Sequence, residues 1–394
     1  MGAKMILVGV GGYGATYLNE ALDHPDADME LVAVVEPYPE RCARLSELHE
    51  RGVPVYADME DFYAGNKADL AVISTPIFLH TRHILSALSH GSHVLCEKPF
   101  CSDENDIEVL QKAQERAGKF VYIGYQWAFS DAVLALKDDV ATGTLGALIE
   151  MKTLVLRPRN QDYFSRGVGW AGKIRTAGGD LVYDSIANNS AAHYLFNMLF
   201  IMGKAGEAAA PDAFDAELLR ANRIENFDVS KLDLTMPSGA KAYFIGAHPV
   251  NSGVEPVFTY QFENGTVYYA AAETESSRSL MPSEYTEYGK ILAVMNDGTK
   301  YVYGDPFAEQ NRKFHLAVAD AAAGKRSKGV CSLKAAAVHT RLINGIQKNC
   351  PIYDTKPELL RHKDGLTYVE GLFEALVELY HNPQQSILKF GELS

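Results

Sequence analysis

Apolar and polar positions alternate in blocks along the first 125 residues. Six short apolar runs, rich in β-branched residues, are separated by segments whose apolar residues recur with helical spacing. A crossover between parallel strands requires a helix, and strands that are covered on both faces read as continuous apolar runs. The pattern therefore predicts a doubly wound parallel sheet. The runs are Met5–Val10, Leu31–Glu36, Val53–Tyr56, Leu70–Ser74, Val94–Cys96 and Phe120–Gly124.

The segments between these runs predict helices. Ser102 is the expected N-cap of the last helix of this part, because Asp103 and Glu104 would then lie in its first turn, where the helix dipole favours carboxylates. The four helices are expected over Tyr13–Leu22, Pro39–Arg51, Phe78–His90 and from Ser102 to Gly118.

A glycine motif follows the first run and opens the first helix. Gly9, Gly11 and Gly14 form G-x-G-x-x-G, together with Gly12 and Tyr13. In this context such glycines allow a tight turn and a close approach of the backbone to a pyrophosphate, which rests on the helix N-terminus. Glu36 ends the second run, 22 residues after Gly14, where a carboxylate holds a ribose 2′-hydroxyl and repels a 2′-phosphate. The motif predicts NAD as cofactor rather than NADP.

Ligands of doubly wound sheets bind outside the carboxyl ends of the strands. The fourth run ends at Ser74, followed by Thr75-Pro76 and by His80, and the fifth run is followed by Glu97-Lys98-Pro99. Lys98 is therefore expected on the side where a nicotinamide would lie, although a lysine beside a turn proline can also be a simple surface residue.

These motifs together resemble the Gfo/Idh/MocA family of NAD(P)-dependent oxidoreductases. A later stretch, Gly178 to Asp184, is similar to the glycine–glycine…aspartate segment of that family. The resemblance implies a Rossmann domain followed by an α+β domain with a large, mostly antiparallel sheet. It implies oxidation of a hydroxyl, or reduction of a ketone, on a sugar, sugar derivative or cyclitol. It also implies that Lys98 and Asp184 are site residues and that Gln126 lies near the nicotinamide or the substrate.

The chain departs from the family at the proton carrier. The family places a histidine four residues after its aspartate, and here that residue is Asn188, whose amide cannot accept a proton. His193 lies nine residues after Asp184, which in a regular helix is close to the opposite face. His193 is then a packing residue, unless an insertion or kink between Asn188 and His193 brings it into the site.

We expect two domains, a dinucleotide-binding domain over 1–125 and a substrate and oligomerisation domain over 126–394. A helix over Asp131–Ala141, a strand over Leu145–Leu156 and repeated strand-like runs from Asp228 to Tyr303 are predicted for the second domain, with an Asn264-Gly265 hairpin. Three helices are expected between 307 and 381, with no chemistry. Eight of the 21 tyrosines lie within 243–303 and indicate either a homodimer or homotetramer interface or simple cross-strand pairs.

Residues 157–175 form a predicted loop with a local excess of positive charge. One interpretation is a substrate lid, in which Arg157, Arg159, Tyr163 and Lys173 contact substrate together with Asp184 and Asn188. The other is that the cations attach the loop to an acidic body through weak surface ion pairs. The five basic residues are Arg157, Arg159, Arg166, Lys173 and Arg175.

Charge and composition limit the classes of molecule that the protein is expected to bind and the compartment in which it is expected. With 37 basic and 50 acidic residues the net charge is −13, which argues against binding of nucleic acid or an anionic membrane surface. Five cysteines without a pairing pattern indicate a reducing, cytoplasmic compartment. His80, His83, His90 and His93 lack acidic or cysteine partners at ligand spacing, so no metal is expected.

Two other functions agree with the same motifs. One is a redox-neutral glycosidase, in which bound NAD oxidises a sugar carbon transiently. The other is a non-catalytic nucleotide-binding regulator, an alternative that Asn188 keeps open.

Overall fold

The computed structural model describes residues 2–24, 28–165 and 169–392. The N-terminal part has six strands and five helices, and α1 and α5 confirm predicted helices. The strands are β1 (Ala3–Val8), β2 (Met29–Val35), β3 (Val55–Tyr56), β4 (Leu70–Ile73), β5 (His93–Cys96) and β6 (Val121–Ile123). The helices are α1 (Gly14–Asp23), α2 (Leu45–Glu50), α3 (Met59–Tyr63), α4 (His80–Ser89) and α5 (Asn105–Ala117).

Within the described ranges, the middle part contains four helices and a series of mostly antiparallel strands. The helices are α6 (Asp131–Ala141), α7 (Gln161–Ser165), α8 (Ala192–Ile201) and α9 (Glu275–Leu280). The strands are β7 (Leu148–Leu156), β8 (Ala213–Arg220), β9 (Val229–Thr235), β10 (Lys241–Ala247), β11 (Val254–Phe262), β12 (Gly265–Ala270), β13 (Ile291–Met295) and β14 (Lys300–Gly304).

The C-terminal part contains the three predicted helices and, in addition, four short strands that the sequence analysis did not find. These elements are α10 (Arg312–Ala323), α11 (Leu333–Asn349), β15 (Ile352–Thr355), β16 (Leu360–Lys363), β17 (Leu366–Val369), α12 (Leu372–His381) and β18 (Gly391–Glu392).

The first sheet has the order β3-β2-β1-β4-β5-β6, and all of its strands are parallel. The predicted doubly wound sheet is therefore confirmed. The second sheet has ten strands in the order β14-β13-β12-β11-β7-β10-β9-β8-β15-β18, and only the β7–β10 and β8–β15 pairs are parallel. This is the large, mostly antiparallel sheet that the family resemblance implied.

The chain forms two compact units. The N-terminal unit comprises Met1–Phe129 and Glu309–Thr340, and the sheet unit comprises Ser130–Ala308 and Arg341–Ser394. The sequence analysis placed all of 126–394 in the second domain and did not anticipate the returning segment. Within the N-terminal unit, α10 buries an apolar stripe that includes Phe314 and Ala317, and the Phe314 ring lies 5.6 Å from that of Tyr17 on α1.

Some predicted details differ. The single helix expected over 39–51 is a 3₁₀ turn at Pro39–Arg41 followed by α2, because Cys42 is extended and buries its side chain. The expected Ser102 N-cap is wrong. Asp103 accepts the Asn105 N–H at 2.9 Å, and α5 begins at Asn105. We did not predict α3, although Asp58 caps it by accepting the Glu60 N–H at 3.0 Å.

The Asn264-Gly265 signal correctly predicts a hairpin between β11 and β12, but the turn is one residue earlier. Gly265 already pairs with Phe262 as a strand residue. A β-carbon on Gly265 would lie 2.7 Å from the Val294 carbonyl oxygen of the neighbouring strand, so close strand packing requires this glycine. No helix within the described ranges is both long and apolar enough to cross a membrane.

Candidate active site

The glycine hairpin between β1 and α1 is shaped by two close approaches. Gly9 has a φ of +80°, and a β-carbon there would lie 2.9 Å from Thr75 Cγ2. A β-carbon on Gly14 would lie 2.1 Å from the Gly9 carbonyl oxygen. A β-carbon on Gly11 or Gly12 would instead meet no atom within 4 Å, so the outer side of the hairpin has room for a ligand.

Glu36 lies directly after β2 and faces this hairpin. One carboxylate oxygen accepts the Val10 N–H at 3.2 Å, and the other accepts the Tyr38 N–H at 3.1 Å. These bonds hold the acid beside the first turn of the glycine motif, where the sequence analysis expected a ribose-binding carboxylate.

The turn after β4 contains Ser74, Thr75 and Pro76. The side chain of His80 connects this turn to the Glu97-Lys98-Pro99 turn after β5. Its Nε2 lies 2.8 Å from the Thr75 carbonyl oxygen, and its Nδ1 lies 2.8 Å from the Pro99 carbonyl oxygen. Carbonyl oxygens only accept, so these partners favour the doubly protonated ring, whereas burial lowers the pKa of His80. Because both nitrogens are used and the residue is 1% exposed, this geometry assigns His80 the positioning of two turns rather than direct ligand contact.

The Glu97-Lys98-Pro99 turn follows β5, and the Lys98–Pro99 peptide bond is cis. Lys98 is half-buried, and its backbone N–H donates to Glu97 Oε2 at 3.2 Å. The hairpin after β1 and this turn after β5 both lie at the carboxyl edge of one parallel sheet. The structure therefore has the predicted lysine and the predicted cofactor hairpin on the same edge.

A buried network supports this turn. Glu97 Oε1 accepts the Tyr17 hydroxyl at 2.6 Å and the Lys313 ammonium at 2.5 Å, and Lys313 also donates to the Gly124 carbonyl oxygen at 3.3 Å. The Lys313 ammonium lies 4.7 Å from the centre of the Tyr13 ring, which belongs to the glycine hairpin. Lys313 thus connects the glycine hairpin to the turn that carries Lys98.

The two charges of this network stabilise each other. Burial alone would raise the pKa of Glu97, but Lys313 and the Tyr17 hydroxyl lower it below the usual range. Burial likewise opposes the charge on Lys313, but Glu97 outweighs it and raises the pKa of Lys313. Glu97 is therefore an ionised, buried acid, and it serves the site by holding the backbone of Lys98.

Lys313 was not among the predicted site residues. We assigned no chemistry to the segment after 307, because a single lysine in an amphipathic helix ordinarily faces water. The available signal is its place four residues before Ala317, on the apolar stripe of α10, where a lysine requires a buried partner. Gln126 is half-buried at the start of a 3₁₀ turn just after β6, and its place near the nicotinamide or the substrate stays a prediction.

In the sheet unit, Asp184 is buried, and hydrogen bonds hold both of its oxygens. Oδ2 accepts the Gly172 N–H at 2.6 Å, and Oδ1 accepts the Asn189 amide at 2.8 Å. The preceding Tyr183 has a φ of +49°, an uncommon value for a residue with a side chain. The aspartate thus stabilises a sharply bent segment.

The segment between Asp184 and His193 is not a regular helix. Residues Ile186–Ser190 form a π-helical turn, Ala191 interrupts it, and α8 begins at Ala192. The helix-face argument against His193 therefore does not apply, and the kink that was our alternative is present. Asn188 is 2% exposed, and its amide donates to the Tyr183 carbonyl oxygen at 3.1 Å. His193 lies in the first turn of α8 and is half-buried.

The basic residues of the 157–175 segment mostly have partners within the sheet unit. Arg157 donates to the Ser190 carbonyl oxygen at 2.9 Å, and to the Tyr194 hydroxyl and Glu255, each at 2.7 Å. The Lys173 ammonium lies 3.8 Å from a Glu225 oxygen, and Arg175 donates to the Gly179 carbonyl oxygen at 2.8 Å. For Arg157, Lys173 and Arg175, these contacts favour the interpretation that the cations attach the loop to the rest of the sheet unit over the interpretation that they form a substrate lid.

Two aromatic contacts complete this region, and one predicted residue cannot be placed. The Arg159 guanidinium lies 4.7 Å from the centre of the Tyr163 ring, and the Tyr163 ring centre lies 5.5 Å from that of His248. Arg166 lies outside the described residues.

The predicted residues therefore fall into two sets. The N-terminal unit holds those assigned to the cofactor together with Lys98, and the sheet unit holds the others assigned to substrate or proton transfer. Half of the eight sheet tyrosines are buried: Tyr243, Tyr260, Tyr269 and Tyr285 are each less than 5% exposed, whereas Tyr301 is 45% exposed.

Comparisons with known proteins agree with this fold. Residues 3–125 match the family model of Gfo/Idh/MocA, described as an oxidoreductase family with an NAD-binding Rossmann fold. The putative UDP-kanosamine synthase oxidoreductase subunit of Amycolatopsis mediterranei is 30% identical over 206 residues, which are 52% of this chain and 53% of that protein. The inositol 2-dehydrogenase of Rhodococcus jostii is 28% identical over 150 residues, 37% of this chain and 40% of that protein. The chain spans about half the length, or less, of these relatives.

Solved structures extend the similarity to both units. The WlbA dehydrogenase of Bordetella pertussis, in complex with NADH and UDP-GlcNAcA, has a TM-score of 0.67 at 20% identity and covers 88% of this chain and 96% of its own. An oxidoreductase of Agrobacterium radiobacter, in complex with NAD⁺, L-tartaric acid and magnesium, has a TM-score of 0.66 at 16% identity, covering 87% and 95%. At these identities the likeness shows the shared fold, and residues 3–125 are similar to the NAD-binding Rossmann fold of the Gfo/Idh/MocA oxidoreductases.

Proposed function

We propose that the protein is an NAD-dependent oxidoreductase that transfers a hydride between nicotinamide and a hydroxyl or ketone carbon of a sugar, sugar derivative or cyclitol. The observation that carries the proposal is the placement of Lys98 after β5, at the carboxyl edge of the sheet whose first turn is the glycine hairpin. In doubly wound sheets this edge is where ligands bind, so a dinucleotide and a cationic side chain meet there.

The residues of the hairpin fit a dinucleotide. Gly11 and Gly12 leave open space in front of the N-terminus of α1, which attracts a pyrophosphate. Glu36 is held where it can accept hydrogen bonds from a ribose diol, and its charge disfavours a 2′-phosphate. NAD, when bound, supplies the hydride acceptor.

Lys98 is the proposed catalytic residue of the N-terminal unit. When the carbon of an alcohol gives up a hydride, its hydroxyl must also give up a proton. An ammonium group beside that oxygen orients the hydroxyl and stabilises the developing alkoxide. Asn188 cannot hold a proton, and its amide already donates to the backbone. Both Asp184 oxygens are engaged as well, so we assign Asp184 and Asn188 to shaping the loop and keep His193 as the candidate proton carrier of the sheet unit.

The proposed substrate class follows the relatives. Their names include inositol 2-dehydrogenase and a UDP-kanosamine synthase subunit, both of which indicate polyhydroxylated rings.

We further propose a homodimer or homotetramer, for which the exposed Tyr301 and Val302 on β14 are supporting features. A cytoplasmic location is proposed because all five cysteines are free thiols and four of them are buried.

The test is a substrate panel with the purified full-length chain. Incubation with NAD and a set of free sugars and cyclitols is expected to give NADH absorbance at 340 nm with at least one member. Lys98→Met is expected to lower kcat by roughly 100-fold or more, because general acid–base and electrostatic assistance contribute factors of that order. Its affinity for NADH, measured by fluorescence titration, is expected to stay within threefold.

Other outcomes separate the rival functions. Release of an aglycone from a glycoside without net NADH would indicate the redox-neutral glycosidase. Binding of NADH without turnover on any panel member would indicate the regulator. Near-native turnover of Lys98→Met would refute the catalytic role of this lysine, and Lys112→Met serves as the control because Lys112 is exposed and pairs only along its own helix with Glu108.

A further inference from the structure

A cavity of about 250 Å³ lies in the sheet unit, where β7 ends. Its lining includes Arg157 and Arg159 from the segment after β7, and Gly253 and Glu255 from the start of β11. Thr274 and Ser277 close it on another side. The cavity does not include Asp184 or Asn188, so it is separate from the residues that the family resemblance identified.

One of the two arginines is already used. Arg157 forms an ion pair with Glu255 at 2.7 Å and donates to Tyr194 and to the Ser190 carbonyl oxygen. These three acceptors occupy its guanidinium, and Glu255 neutralises its charge. Arg157 is therefore a wall of the cavity that also holds the N-terminal end of α8.

Arg159 differs. Its Nε is buried and has no hydrogen-bond partner, and among the described residues no carboxylate lies within ion-pair distance of its guanidinium. Its single described contact is with the face of the Tyr163 ring, 4.7 Å away, which orients the guanidinium plane without satisfying its donors. The residue as a whole is half-buried and lines the cavity, so its terminal nitrogens are the donors that an acceptor in the cavity can meet.

The hydroxyl groups of the cavity do not fill this need. Ser277 Oγ donates to the Ala272 carbonyl oxygen at 2.7 Å, and Thr274 Oγ1 accepts the Ser277 N–H at 3.0 Å, so both hydroxyls serve the cap of α9. Because Arg157 neutralises Glu255, the net charge of the side chains that line the cavity is the positive charge of Arg159. In a chain of net charge −13, a retained positive charge in a cavity selects for anions.

We propose that this cavity is an anion-binding subsite in which Arg159 binds an oxyanion group, a carboxylate or a phosphate, of a monosaccharide-sized ligand. A guanidinium binds such groups through two parallel hydrogen bonds. The volume supports the small size, because it lies below the range of about 300–1,000 Å³ that is typical of pockets for drug-sized ligands. The cavity by itself therefore suits a sugar acid or a sugar phosphate rather than a nucleotide.

That the anion belongs to a substrate rests on the proposed function, whereas binding of the anion at Arg159 does not. The experiment therefore measures binding and needs no turnover. Isothermal titration of the full-length protein, at fixed ionic strength, compares D-glucuronate, D-glucose 6-phosphate and D-glucose. We expect at least one anionic sugar to bind roughly tenfold or more tightly than glucose, and the two anionic probes distinguish a carboxylate from a phosphate ligand.

Three variants complete the test. Arg159→Gln is expected to remove most of the preference for the anionic sugar, and Arg159→Lys to retain part of it, because lysine keeps the charge but loses the bidentate geometry. Arg278→Gln is the control, since Arg278 is an exposed neighbour of the cavity that pairs with Glu273. Circular dichroism checks that each variant is folded, and Arg159→Lys keeps the test valid if Arg159→Gln is unstable.

The proposal is overturned if no anionic probe binds, if glucose binds as tightly as the anions, or if Arg159→Gln and Arg278→Gln lose the preference equally. A protein that shows no turnover in the substrate panel but binds an anionic sugar through Arg159 would refute the proposed function and leave this subsite in place. Turnover on neutral sugars without anion binding would support the proposed function and overturn the anion subsite.

Discussion

Two ion pairs, one in each unit, differ in how deeply they are buried. In the N-terminal unit, Glu97 and Lys313 form an ion pair in which the side chains are 10% and 1% exposed, and the pair lies under the turn of Lys98. In the sheet unit, Lys173 and Glu225 are 39% and 53% exposed and lie 3.8 Å apart. A buried pair cannot lose one partner without leaving an unsolvated charge, whereas water replaces a lost surface partner. Loss of Lys313 is therefore expected to cost more stability than loss of Lys173.

The largest effect is expected when the buried pair is broken. Lys313→Met leaves the Glu97 carboxylate buried without its cation and is expected to cost about 3–5 kcal/mol in the free energy of unfolding. Urea denaturation followed by circular dichroism measures this. A second variant, Lys313→Met with Glu97→Gln, is expected to recover part of the loss, because it removes the uncompensated charge. A loss below about 1 kcal/mol for Lys313→Met would contradict the buried-pair interpretation.

The pH dependence of this variant gives an independent check. In the native protein the pKa of Glu97 is lowered on folding, so its contribution to stability is present above the pKa of the unfolded state and is lost as the pH falls through the folded-state pKa. Without Lys313, burial raises the folded-state pKa, so the sign reverses and the cost grows as the pH rises. The deficit of Lys313→Met should therefore be larger at pH 8 than at pH 5.

An intermediate effect is expected at the cofactor hairpin. Glu36→Ala removes a hydrogen-bond acceptor for the ribose and a charge that repels a 2′-phosphate, so the preference for NADH over NADPH should fall roughly tenfold, about 1.4 kcal/mol. Fluorescence titration with both cofactors measures the ratio. Glu40→Ala, an exposed acid in the following turn, is the control and should leave the ratio unchanged. An unaltered ratio in Glu36→Ala would show that another group selects the cofactor.

The smallest effect is expected in the loop of the sheet unit. Lys173→Ala breaks an exposed pair and should change the free energy of unfolding by less than about 0.5 kcal/mol. The same variant should leave KM for an active panel substrate within twofold if Lys173 only attaches the loop. A tenfold rise in KM would instead place Lys173 against substrate and restore the lid interpretation for this residue.

Local sequence predicted the glycine turn after β1 and the position of Glu36 beside it, for a physical reason. Gly9, Gly11, Gly14 and Glu36 act through backbone turns at strand ends, so their roles depend on neighbours along the chain and on the parallel sheet, which the apolar runs already indicate. The roles of Arg157 and Asn188 could not be predicted in this way. Glu255 lies 98 residues after Arg157, and the amide of Asn188 is used by a bend that includes the positive φ of Tyr183.

By itself, the amino-acid sequence determined the alternation of strands and helices, the glycine hairpin and the place of Lys98 after a buried strand, because these depend on local periodicity and turn chemistry. Only the tertiary structure decided that α10 returns to the N-terminal unit, that Lys313 becomes the partner of Glu97, and that Arg159 faces a cavity with an unused donor. These contacts join residues far apart in the chain. They depend on which apolar stripes and charges become buried together, and that is decided only once the surrounding elements have packed.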